Sequence, residues 1–159
     1  MESQCTSIGI SEDGEVVAFG DEMGYVYLYS LEDFTMILSI KSMGSSITDI
    51  AIDASHTIII AYEDIVSVFD KYGSSVRLFQ VEKSQGKIVK LKIRDHILLA
   101  CTEKCHFYLF DIHSDGIISD FVAKNGDQVS KFTYLGYDKD FMKGFAGNED
   151  GQVVSFNVI

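Results

Sequence analysis

A unit of three short strands and two turns recurs four times along this chain, and that periodicity constrains the fold more than any single motif. Its clearest copy is Ile8–Ser30, IGISEDGEVVAFGDEMGYVYLYS. A short run at Ile8–Ile10 is joined by the Ser11–Gly14 turn to an alternating run at Val16–Phe19. Gly20–Gly24 then turns the chain into Tyr25–Tyr29. Runs of this length, rich in Val, Ile, Tyr and Phe and bounded by Asp/Gly turns, predict a β-meander, because Gly supplies the positive φ of tight hairpins.

Ser46–Phe69 repeats the pattern with turns at Asp53–His56 and Tyr62–Asp64, and Ile88–Phe110 repeats it with turns at Arg94–His96 and Thr102–Lys104. Val129–Phe156 is a looser copy, with Tyr134–Asp140 as a longer turn and Asn148–Gly151 as the tight one. An aromatic near the end of each third strand marks the register: Tyr29, Phe69, Phe110 and Phe156, spaced by 40, 41 and 46 residues. The first three are each followed by a fourth short run: Phe34–Ile40, Val76–Val81 and Ile117–Val122. No stretch sustains helical spacing of apolar residues beyond about two turns, so the chain is all-β. Four short antiparallel strands every 40–45 residues or so is the period of a propeller blade. The expected blades are 5–40, 46–81, 87–122 and 128–159, within a single β-propeller segment spanning 1–159.

The strand endings VSVFD (Val66–Asp70) and FYLFD (Phe107–Asp111) resemble those of the WD-repeat family, with Phe in place of the signature Trp. YLYS (Tyr27–Ser30) and SFN (Ser155–Asn157) are weaker versions. ISEDG (Ile10–Gly14) is similar to the family's first turn, and NEDGQVVSFN (Asn148–Asn157) to its second turn and third strand. The family's Gly-His pair is missing from every copy. The Asp of its tight turn is in register only at Asp150, with Met23, Glu63 and Lys104 in the other places. The blades are therefore expected to hold mainly by apolar packing, with Tyr29, Phe69, Phe110 and Phe156 filling the space between neighbours. The resemblance implies a propeller that docks proteins on its faces or loops. Such rings usually close with more than four blades, and the fourth copy here lacks its outer strand. The expectation is an incomplete ring: a segment of a longer protein, or one completed by a second chain, before a closed ring of four.

Composition narrows the partners. The net charge is -11, and no Lys or Arg precedes Lys41, whereas Lys71–Arg94 is basic. Such a surface disfavours nucleic acid and anionic membranes. With no signal peptide, no apolar run of about 18 residues and only three cysteines, an intracellular protein, cytoplasmic or nuclear, is expected. The acidic turns of the first unit favour a basic protein partner, and Glu12, Asp13, Asp21, Glu22 and Tyr25 are the candidate contacts. Self-association that completes a ring is the other expected partnership.

Candidate chemistry is sparse. Cys101, Cys105 and His106 straddle one turn with zinc-like residue types, yet no second ligand pair follows, and strand-end cysteines account for them better. The carboxylate pairs Asp49/Asp53 and Asp111/Asp115 are what acidic turns supply in any such protein. No Gly-rich phosphate loop occurs, and Arg77 and Arg94 cannot form a paired-Arg lipid motif. The sequence therefore predicts a non-enzymatic protein-interaction scaffold without a cofactor. The alternative is a ligand- or metal-binding propeller with enzymatic activity.

Overall fold

A computed structural model describes residues 3–44, 46–122, 132–138 and 143–157. Among these, fifteen strands form four antiparallel sheets, each paired in chain order. Sheet 1 holds β1 (Cys5–Ile10), β2 (Val16–Asp21), β3 (Tyr25–Ser30) and β4 (Met36–Lys41). Sheet 2 holds β5 (Asp49–Ile52), β6 (Ile58–Tyr62), β7 (Ile65–Phe69) and β8 (Ser75–Gln80). Sheet 3 holds β9 (Ile88–Arg94), β10 (Ile97–Thr102), β11 (His106–Asp111) and β12 (Ile117–Val122). Sheet 4 holds β13 (Phe132–Tyr137), β14 (Lys143–Asn148) and β15 (Val153–Asn157). Among the described residues the only helical element is a 3-10 turn at Lys83–Gln85, and no helix among them is long and apolar enough to cross a membrane.

In sheets 1, 3 and 4 the turn between second and third strands forms because the sequence places an Asx or Thr side chain where it can replace backbone partners, whereas sheet 2 turns through Glu63 at φ 50. Asp21 Oδ1 accepts the N–H groups of Met23 and Tyr25, and Asn148 Oδ1 those of Asp150 and Gln152. Thr102 Oγ1 accepts from His106 in the third sheet's equivalent turn. The capping residue thus sits two positions before Met23 and Asp150, the register that the repeat itself suggests. Gly24 and Gly151 take positive φ in these turns, and Cys105 takes the same left-handed conformation with φ 65.

Several strand ends differ from expectation, and two of the differences involve glycines. Gly20 and Asp21 belong to β2, since a Cβ on Gly20 would lie 2.8 Å from Ile47 Cβ, and the chain needs that close approach. Tyr134–Tyr137, expected within a long turn, are in β13, where Gly136 pairs with Phe145. The rest of that expected turn, at 139–140, lies outside the described residues, as do 128–131 of the fourth unit.

The sheets pack face to face in chain order. Val16, Ala18, Val26 and Leu28 of sheet 1 share a core with Ile58, Ile60 and Phe69 of sheet 2. The opposite face of sheet 2, with Ile59, Ala61, Val66 and Val68, meets Leu98, Tyr108 and Phe110 of sheet 3. Leu99, Phe107 and Leu109 then meet Ala146 and Phe156 of sheet 4. Phe69, Phe110 and Phe156 each point back into the preceding sheet, as expected from their register. Phe110 packs on Phe79 at 4.7 Å between ring centroids, and Phe156 on Phe107 at 4.6 Å. Gly144 stands opposite Phe156, whose ring atoms would come within 2.2 Å of a Cβ there.

Replacing the fully buried Phe110 by Ala should cost about 3–5 kcal/mol in urea denaturation. Phe156→Ala, at a partly exposed position, should cost clearly less. Equal losses at the two positions would contradict this packing.

Candidate functional site

Antiparallel meanders stacked in this way bring their first strands together. β1, β5, β9 and β13 all border one open cavity of about 630 Å³. The first strands approach closely because Gly9 has no side chain: a Cβ there would lie 2.8 Å from the Ile50 carbonyl oxygen. A parallel bridge between Ser11 and Ile52, and the Thr6 hydroxyl donating to Ile47 O at 2.6 Å, fix β1 beside β5.

Asp49 fixes β5 beside β9. Its Oδ2 accepts the Leu91 N–H at 2.8 Å, and its Oδ1 lies 3.7 Å from Lys90 Nζ. Burial pushes this carboxyl above its ordinary value, and the Leu91 N–H and the Lys90 ammonium oppose that only in part. Asp49 thus ties sheet 2 to sheet 3 through the Leu91 N–H. Asp53 caps its own turn through Ser55 and Thr57, Asp111 caps His113, and Asp115 pairs with Arg77. Arg77 also donates to the carbonyls of Ile112 and His113, clamping sheet 2 to sheet 3.

The five expected contact residues do not form one surface. The turn between first and second strands and the turn between second and third lie at opposite ends of an antiparallel sheet. Glu12 and Asp13 are at one rim, and Asp21, Glu22 and Tyr25 are at the other. Asp21 is buried and spent on its turn. Tyr25 is exposed, with Lys41 Nζ 4.2 Å from its ring centroid.

At the first rim, Glu12 borders the cavity. Desolvation raises its pKa; the N–H groups of Asp95 and Ala54 oppose the rise, while the Asp95 and Asp53 charges add to it. Beside it, Asp13 Oδ2 lies 2.8 Å from His56 Nε2, and Glu15 Oε2 lies 3.8 Å from the same nitrogen. Ser11 and the Glu15 N–H, more than His56, hold the Asp13 carboxyl down at about 2. An ionised carboxylate only accepts, so His56 Nε2 carries the proton. Asp13, Glu15 and His56 bring three metal-capable atoms within 4.8 Å of one another, a grouping that spacing along the chain hides because His56 lies 43 residues from Asp13. They serve here as a hydrogen-bonded staple between sheets 1 and 2.

The Cys101–His106 cluster is taken up by packing. Cys101 and Cys105 are buried, no disulfide forms, and burial pushes the Cys105 thiol up to about 11 and that of Cys101 higher still. His106 stacks on Tyr108 at 4.4 Å, and its Nε2 lies 2.6 Å from Asp120 Oδ2. His96 and His113 stack on each other at 5.9 Å.

No protein-family model and no curated protein matches this sequence. Among solved structures it is similar to the computationally designed Ika4 protein, with a TM-score of 0.78 and 17% identity over 100% of this chain and 94% of that one. It is also similar to the computationally designed Ika8 protein, with a TM-score of 0.76 and 17% identity over 99% of this chain and 47% of that one. These likenesses speak to fold alone.

Asp49→Ala should cost about 1–3 kcal/mol by orphaning the Leu91 N–H, while Asp49→Asn, which keeps an acceptor, should be nearly neutral. Equal losses would remove the tie from this account. Asp13 supplies stability that is full above its ordinary pKa of 3.8 and fades as pH falls towards about 2. Acid titration of Asp13→Asn should therefore show a weaker loss of stability across that window than the wild-type chain shows. Parallel curves would contradict the assignment.

Proposed function

We propose that this chain is a WD-repeat-like β-propeller segment of about four blades that acts as a non-enzymatic scaffold for protein partners. The recurring sheets, the shared cavity bordered by their first strands and the aromatic register support the propeller reading. The observation that carries the docking role is the acidic rim around the cavity mouth. Glu12 borders the cavity, Asp13 and Glu15 stand beside it in the same region of sheet 1 with His56 of sheet 2 facing them, and Asp95 of sheet 3 lies close enough to act on Glu12. Desolvation of Glu12 beside like charges leaves a negative potential that a Lys- or Arg-bearing segment relieves. Glu22 and Tyr25 offer a second, smaller contact on the opposite rim, separate from the first.

Binding of this kind is screened by salt, with a Debye length of about 8 Å at physiological ionic strength falling to about 3 Å at 1 M. Retention of basic peptides on the immobilised chain should fall steeply with salt, and Glu12→Lys should abolish it. Retention insensitive to both changes would sink the acidic-rim reading.

A further inference from the structure

The chain makes the same sheet-to-sheet contact three times, and its register shows which halves of a fourth are left bare. Each contact has a forward half and a backward half. Val26, Val66 and Phe107 occupy one forward position, three residues before the aromatic marker, and all three are 0% exposed. Val153 occupies that position in sheet 4 and is 70% exposed. Ala18, Ile59 and Leu99 occupy a second forward position and are 0% exposed, while Phe145, paired with Ser155 in the same register, is 43% exposed. Ser155 stands where the other sheets have Leu28, Val68 and Leu109, so Phe145 and Val153 carry the forward half.

The backward half is partly bare on sheet 1: Val17, paired with Tyr29, is buried, but the residues around it are not covered by a neighbouring sheet. Phe69, Phe110 and Phe156 each fill the preceding sheet, but no described sheet precedes the one that holds Tyr29. Around Tyr29 the same face carries Phe19, 5.9 Å away in an edge-on contact, and the exposed Ile8, Ile10 and Met36. No hydrophobic cluster among the described residues joins sheet 4 to sheet 1.

We propose that a second copy of this chain covers both faces, sheet 4 of each copy packing on sheet 1 of the other, which deepens the propeller reading and rests on it. One molecule carries both halves of the missing contact, so a two-fold pair satisfies all four bare faces through two identical head-to-tail seams. Two further observations single out this occupant. The four sheets superpose almost as well on about half of the longer designed chain as on the whole of the shorter one. Their arrangement is therefore compatible with continuation by as much again. Charge agrees: Lys143 lies exposed on the same face as Phe145, whereas the first 40 residues contain no Lys or Arg and are rich in Asp and Glu. The eight sheets of such a pair fall within the range known for propellers, about four to eight.

Light scattering on the full chain tests this. The expected mass is twice 17.7 kDa. Val153→Glu, on the forward face, and Ile8→Arg, on the backward face, should each give a monomer with unchanged circular dichroism, since both sites are exposed. Met36→Arg repeats the second test should Ile8→Arg fail to fold. Mixing Val153→Glu with Ile8→Arg should restore the dimer, because one seam is then native and the other pairs Glu with Arg. A wild-type monomer would overturn the proposal. So would a dimer indifferent to Val153→Glu, which means sheet 1 meeting sheet 1, or a mass that climbs past two copies with concentration. A monomer that still binds basic peptides in a salt-dependent way would remove the pairing and leave the acidic rim standing.

Discussion

The structure depends on one repeated contact, in which an aromatic near the end of each third strand enters the face of the sheet before it. Phe69, Phe110 and Phe156 lie between successive sheets; Phe69 shares a core with aliphatics of sheet 1, Phe110 meets Phe79 of the fourth strand of sheet 2, and Phe156 meets Phe107 and Phe121 of sheet 3. Burying such a ring contributes on the order of 2–3 kcal/mol, comparable with the strongest polar ties between the sheets. The polar ties set the spacing that the rings exploit. Asp49 on the Leu91 N–H, Arg77 on the Ile112 and His113 carbonyls, and His56 on Asp13 each join one sheet to the next.

Much of this was legible in the sequence because a period of about 40 residues survives divergence of every individual motif. The markers at Tyr29, Phe69, Phe110 and Phe156 give the register from which burial follows. What could not be read were features set by the spacing between sheets. Gly20 looked like a turn glycine, and only the proximity of Ile47 shows why it is in a strand. Gly136 also looked like a turn glycine, and it lies in β13 paired with Phe145. Asp21 looked like a surface acid, although its side chain is consumed by the Met23 and Tyr25 amides.

The candidate site was half legible. An acidic first unit is plain in the composition, but the residues divide between two rims, a consequence of strand direction that turn parity alone would have exposed. His56 was invisible as a partner of Asp13 because its turn belongs to the next repeat. The cysteine cluster, which carried the most suggestive spacing, is occupied by packing, with its thiols held protonated by burial. In a repeat fold, chemistry gathers where equivalent turns converge, so the search is better made across repeats than along one of them.

Sheets stacked in chain order through these rings are the claim on which everything else rests, and nuclear Overhauser effects between aromatic side chains test it most directly. In a chain with selectively labelled Phe, cross-peaks are expected between Phe79 and Phe110, across sheets 2 and 3, and between Phe107 and Phe156, across sheets 3 and 4, whose ring centroids lie 4.7 and 4.6 Å apart. A spectrum that kept the cross-peak within sheet 3 between Phe107 and Phe121, at 5.0 Å, but lacked both inter-sheet pairs would contradict the stack.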